Sequence, residues 1–251
     1  MLRKSTFVLL LFLLNGLFKN ATNGSVLGNI SSKPKMQLNH SLWDNLLQKH
    51  VDKSGNVNYK SFKKDHASLI QYLGYLKNNK PTEDANRQVH LAYYINLYNA
   101  ATVSLILDNY PLKSIKDIRN PWGQKLVAIG DQIFSLGDLE HKILRKMNEP
   151  RIHFAINCAS YSCPKLVNQA FTSSNLEALL EQTAVDFIND KKRNVLGNDE
   201  ASLSAIFKWF KKDFTQESSL VDYINKYARI KLDSNTRIKY LNYNWALNEA
   251  K

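Results

Sequence analysis

The stretch HLAYYINLYNAATVSLIL, residues 90–107, decides the fold. It is too long for a strand and apolar nearly all round, so it reads as a helix buried on every side at the centre of the protein. Thr82, after Pro81, can cap it, and Glu83 and Asp84 sit favourably at the positive end of its dipole. The run Asn109-Tyr110-Pro111 ends it, because a residue before proline is pushed out of the helical region. Two amides, Asn96 and Asn99, lie three apart on one face. A buried amide without a partner costs about 1–3 kcal/mol, so each must hold either the backbone of another segment or a pocket ligand. Tyr93, Tyr94 and Tyr98 pose the same choice between core and pocket wall.

Outward from that helix, the pattern alternates short helices with a little strand. On the N-terminal side, residues 38–51 have apolar residues at helical spacing, 52–56 form a turn with Gly55, 57–59 a short strand, and 62–76 a second helix. On the C-terminal side, residues 125–129 and 132–135 read as a hairpin joined at Gly130-Asp131. Residues 135–147 read as a helix carrying Glu140 and His141, 175–189 as another, and 194–196 and 201–203 as extended pieces. Helices over 204–214 and 220–227 and a closing strand over 238–245 complete the chain. The sum is an α+β fold: a helix-dominated single domain with a small, mostly antiparallel sheet around the central buried helix. It is expected over residues 38–251.

Residues 1–24 read as an export signal, with Arg3 and Lys4 ahead of an apolar run over 7–18 that is short of the roughly 20 residues a membrane span needs. A polar linker, 25–37, follows. These features point to an exported protein, periplasmic or secreted, in preference to one held by an uncleaved N-terminal membrane anchor. With 44% hydrophobic and 22% charged residues the composition is that of an ordinary globular protein. The net charge is +12; removing residues 1–24 takes away Arg3, Lys4 and Lys19 and no acid. A basic surface of this kind suits an anionic polysaccharide or membrane surface. The lysines are scattered, apart from Lys191-Lys192-Arg193 and Lys208 with Lys211-Lys212. They are not interleaved with stacking aromatics, so no specific nucleic-acid partner is expected.

Both cysteines lie in RIHFAINCASYSCPKL, residues 151–166. Residues 152–156 read as a strand that delivers Cys158 at its end. Cys163 precedes Pro164, a residue favoured at the first helical position; a helix starting there would make Cys163 its cap, where the dipole lowers a thiol's pKa. On a regular strand His153 and Cys158 point to opposite faces, with His153 beside Ala155 and Asn157. His141, next to Glu140 on a separate helix, is then the better base for a thiol. Asn157 and Ser160 crowd the same loop. Glu140-His141 is not His-Glu-x-x-His, and no Cys-x2-Cys pair, phosphate-cradling glycine loop or Gly-x-Ser-x-Gly elbow occurs. No metal and no cofactor is expected.

Taken together, AYYINLYNA (92–100), YPLKSIKDI (110–118), LGDLEHKILR (136–145), the cysteine stretch (151–166) and YLNYNWALN (240–248) resemble, in order and spacing, the domain of unknown function DUF547, in an exported bacterial-type member. The resemblance spans about residues 80–215. Its signature falls on Asn96, Asn99, Glu140, His141, His153, Asn157, Cys158, Ser160, Cys163 and Pro164, and it implies no established activity.

Two functional readings stay open, beside a purely structural role for the polar set. In one, the protein is a thiol-dependent hydrolase or acyl transferase. Cys158 (or Cys163) is the nucleophile, His141 the base, and Glu140, Asn96 or Asn99 the orienting group. In the other it is a non-catalytic binding module, with a Cys158–Cys163 disulfide shaping the loop and the basic surface meeting an anionic partner.

Overall fold

The computed structural model describes residues 37–250. The export signal expected at residues 1–24, and all of the linker at 25–37 except Gln37, lie outside the described residues. The helices are α1 (Ser41–His50), α2 (Tyr59–Phe62), α3 (His66–Asn78), α4 (Arg87–Asn109), α5 (Leu136–Asp138), α6 (Ile152–Ala155), α7 (Leu176–Ile188), α8 (Ile206–Trp209), α9 (Lys211–Phe214) and α10 (Leu220–Tyr227). The strands are few: β1 (Val127–Ile129) pairs antiparallel with β2 (Gln132–Phe134), and β3 (Glu200–Leu203) pairs parallel with β4 (Arg237–Tyr240). The fold is a helix-dominated α+β.

Helix α4 is the centre the sequence predicts: every residue from Leu91 to Leu107 is buried. It begins later than its acidic lead-in suggests. Asn86, not Thr82, is the cap, its side chain accepting from the Val89 N–H at 2.9 Å. Around it packs a first core, with Trp43 and Leu47 of α1, Tyr72 and Leu76 of α3 and Leu136, Leu139 and Leu144 among its members. A second core is rich in phenylalanine: Phe154, Phe187, Phe207 and Phe214 pack with centroids 5.0–6.1 Å apart.

The one turn of α6 joins the two cores, since Ile152 and Ala155 belong to the first and Phe154 to the second. The sequence predicts a strand here. An apolar run buried on all sides has no period to distinguish strand from helix, and tertiary bonding decides. The Ile156 N–H bonds back to the Ile152 carbonyl, and Asn99 supplies the partner that a longer helix would give: its Nδ2 donates to the Ala155 carbonyl at 3.0 Å. Nor does a helix start at Pro164. Cys163 is not a helix cap; its N–H closes a turn on the Ser160 carbonyl at 3.0 Å.

The hairpin, α1 and α10 lie close to where they are expected. The helix expected over 204–214 is broken into α8 and α9 at Phe210. The one expected over 135–147 changes pitch twice: α5, then a π turn (Leu139–Ile143), then a 3-10 turn (Leu144–Met147). Beyond β4 the chain stays extended, with Tyr243, Trp245 and Leu247 half-buried and the residues between them exposed. That segment pairs with the cysteine loop: the Tyr161 N–H donates to the Ala246 carbonyl at 2.7 Å and the Asn248 N–H to the Ala159 carbonyl at 3.2 Å. The turn read at Gly55 forms with φ +80°, and a Cβ there would lie 2.6 Å from that of Lys165, so the residue after Pro164 rests directly on this glycine.

Candidate active site

The cysteine loop is held by amides. Asn99 accepts the Asn157 N–H at 2.8 Å while bonding the Ala155 carbonyl. Asn157 in turn spans the loop, its Nδ2 on the Pro164 carbonyl at 2.7 Å and its Oδ1 on the Ala159 N–H at 2.8 Å. Ala159 adopts φ +56°, a left-handed conformation that costs about 1–3 kcal/mol outside glycine. The bonds on either side of it offset that cost and fold Ser160 back onto Cys158. Of the two amides on α4, Asn99 thus positions the cysteine loop. Asn96 does the same for the segment before α7, bonding both the N–H and the carbonyl of Phe171. Neither is among the residues lining the pocket below.

The Cys158 sulfur lies 2.8 Å from the Cys163 sulfur, 3.1 Å from Ser160 Oγ and 3.2 Å from Tyr243 Oη. Both cysteines are free. Burial alone would push the Cys158 thiol up, but hydrogen bonds from Cys163, Ser160, Tyr243 and the Ser160 backbone outweigh it and hold its pKa down, at about 7. Cys163 is driven the other way, well above the ordinary thiol value, by burial and by the neighbouring Cys158. Of the two thiols, Cys158 is therefore the first to give up its proton, while Cys163 keeps its own and accepts the Cys158 N–H at 2.8 Å.

Cys158 opens into a pocket of about 200 Å³ at the seam of the two cores. Glu140 and His141, from the π turn, line it, as do His153 and Tyr98. Glu140 is buried, and burial, with the charge of Cys158 added, raises its carboxyl to about 7; Tyr98 Oη donates to it at 3.4 Å. Two histidines thus face one pocket, with different surroundings. His141 is exposed, has Arg145 3.4 Å from its Nδ1, and makes no hydrogen bond to Cys158. His153 is buried, stacks on Phe210 at 4.0 Å and bonds Asp213 Oδ2 through Nε2 at 2.8 Å. Asp213 also takes a two-pronged bond from Arg145, at 2.6 and 2.9 Å. Burial would raise the Asp213 carboxyl, yet Arg145 and His153 hold it well below the usual range. Burial lowers His153, so its ring is neutral near pH 7. A neutral imidazole fixed by a carboxylate is an arrangement suited to moving protons. The strand premise that turned His153 away from Cys158 fails with the strand itself.

The remaining wall is aromatic: Trp122, Trp209, Phe210, Tyr243 and Trp245. Trp245 packs against Trp122, Trp209 and Tyr243 with centroids 4.5–5.8 Å apart. Among the described residues, no three His, Cys, Asp or Glu side chains converge as a metal donor set.

Sequence reasoning finds Cys158, Cys163, Glu140, His141, His153, Asn157 and Ser160, and the loop or pocket unites them. It misses Asp213, which sits beside Lys211-Lys212 and reads there as part of a surface charge cluster. It also gives no role to Tyr243, although YLNYNWALN, which contains it, belongs to the resemblance. Residues 82–188 match the family described as Protein of unknown function, DUF547, and the chain resembles that family over this segment. Neither the curated proteins nor the solved structures contain a match to this chain.

Proposed function

We propose that the protein is an exported thiol-dependent hydrolase or acyl transferase, with Cys158 as its nucleophile. The observation that carries this reading is the set of hydrogen bonds around a half-buried, pocket-facing sulfur, which lowers the thiol's pKa against the effect of burial. The thiolate attacks the carbonyl carbon of an ester, thioester or amide. A sulfur–carbon bond forms, and the leaving group departs with a proton. His153, oriented by Asp213, and Glu140, whose carboxyl is half-protonated near pH 7, are the groups placed to supply that proton and later to draw one from water or from an acceptor. The aromatic wall takes the apolar part of the acyl group. Export is supported by the basic start and the apolar run at residues 7–18.

The anionic-partner reading draws less support. Of its main cluster, Arg193 is committed to Asp190 and to the carbonyls of Cys163 and Tyr161.

The test uses the chain without residues 1–24. Iodoacetamide labelling is followed against pH, and p-nitrophenyl esters of graded acyl length are offered while intact mass is recorded. The expected result is a labelling midpoint near pH 7 and an acyl adduct on Cys158. Labelling with an ordinary thiol midpoint of about 8.5, together with no adduct from any ester, would sink the proposal.

A further inference from the structure

Acyl transfer makes a covalent bond at Cys158 and none at Cys163. Yet Cys163 is buried in the same loop, its sulfur 2.8 Å from that of Cys158. We propose that Cys158 is an oxidation site and Cys163 its resolving thiol, the two closing into a disulfide when a hydroperoxide enters the pocket and reopening under a dithiol reductant. A disulfide requires a separation of about 2.05 Å, so closure moves the sulfurs together by about 0.8 Å. The backbone on both sides is already fixed. Asn157 ties the loop to Pro164, and Arg193 holds the carbonyls of Cys163 and Tyr161 at 2.8 and 3.0 Å. The sulfurs also differ in access. Both line the pocket, but Cys158 is half-buried, whereas Cys163 is 4% exposed. An oxidant therefore meets the more exposed Cys158 first, and the Cys163 sulfur beside it, 2.8 Å away, is the resolving nucleophile.

In the first step the Cys158 thiolate attacks one oxygen of the hydroperoxide; a sulfur–oxygen bond forms, the oxygen–oxygen bond breaks, and the alkoxide or hydroxide leaves and is protonated. The sulfur is oxidised to a sulfenic acid and the peroxide reduced to an alcohol or water. Cys163 then attacks the Cys158 sulfur. The sulfur–sulfur bond forms, and hydroxide departs, taking the Cys163 proton as water. A dithiol reductant returns both thiols, becoming a disulfide itself.

The experiment treats the chain without residues 1–24 with graded hydrogen peroxide and records intact mass and iodoacetamide labelling. The wild type is expected to lose two hydrogens without gaining oxygen, and to lose its labelling; dithiothreitol restores both. Cys163→Ser, checked for native circular dichroism, is expected instead to gain one oxygen that dimedone captures. Wild-type protein that passes to sulfinic acid as fast as Cys163→Ser, or that forms disulfides only between molecules, overturns the proposal. If Cys163→Ser does not fold, peptide mapping of oxidised wild type decides alone. A Cys158–Cys163 cross-linked peptide supports the proposal, and higher oxides of Cys158 without it refute it. None of these readouts is an acyl-transfer activity, so either proposal can fail without the other.

Discussion

Residues 82–188 and residues 189–250 contribute different kinds of group to one pocket. The first segment, which resembles DUF547, brings the reactive side chains: Cys158, Cys163, Glu140, His141 and His153. The second adds to what tunes and encloses them. Tyr243 joins Cys163 and Ser160 on the Cys158 sulfur, Asp213 fixes His153, and Trp209, Phe210 and Trp245 complete the aromatic wall that Trp122 of the first segment begins. Neither contribution is sufficient alone. A thiol in the first segment without Tyr243 loses one of the bonds that oppose its burial, and His153 without Asp213 is a buried ring with no acid to orient it. The C-terminal segment is therefore part of the site's electrostatics and not only a cover for the core.

The largest expected effect belongs to the first segment. Cys158→Ala should lower acyl turnover by about 10³-fold or more while leaving the melting temperature close to that of wild type. Turnover that survives would move the nucleophile elsewhere and dissolve the comparison.

Glu140→Gln sharpens it next. The Glu140 carboxyl rises from 4.5 to about 7 on folding, chiefly through burial. A raised folded value means that the folded state binds the proton more tightly. The stabilisation is fully present below about pH 4.5 and is lost as pH rises through about 7. At 1.36 kcal/mol per unit this approaches about 3 kcal/mol. Gln does not titrate, so the variant should gain on wild type by about that amount between pH 4.5 and pH 8 in urea unfolding. A difference that stays flat with pH would show that Glu140 is ionised throughout.

A change in the second segment should cost somewhat less. Asp213→Ala strips both His153 and Arg145 of their partner. A fully buried pair would lose about 3–5 kcal/mol, and the partial exposure of Arg145 brings the expectation to about 2 kcal/mol. Equilibrium unfolding measures it, and Asp213→Asn, which keeps an acceptor for His153, should lose less than Asp213→Ala.

The smallest effect tests the join between the segments. Tyr243→Phe removes one hydrogen bond to the Cys158 sulfur and should move the labelling midpoint up by about half a unit to one unit, roughly 1 kcal/mol. An unmoved midpoint would mean that the first segment, through Cys163 and Ser160, tunes its thiol alone.

Part of this arrangement is legible in the residues themselves. The run around Tyr98 is apolar on every face, and such a run of that length has one low-energy solution, a buried helix. The cysteine stretch concentrates polar and nucleophilic side chains against apolar residues, which marks a site whatever its secondary structure. The turn at Gly55 and the hairpin at Gly130-Asp131 follow from backbone freedom. The strand over 152–156 and the helix at Pro164 fail for one reason: in a segment buried on both sides, hydrogen bonds from distant residues such as Asn99 outweigh local propensity. The preference for His141 over His153 loses the strand it rests on, yet both histidines line the pocket, and what separates them is the carboxylate beside His153.

By itself, the sequence determined the central helix, the helix-dominated α+β class and the polar residues of the first segment that meet at the pocket and the cysteine loop, because burial and side-chain chemistry are written locally. Only the tertiary structure decided which histidine has a carboxylate, which amide holds the cysteine loop and which thiol gives up its proton. Those depend on Asn99, Asp213 and Tyr243 meeting loops far from them in the chain, and an interaction between distant residues leaves no period or spacing to read.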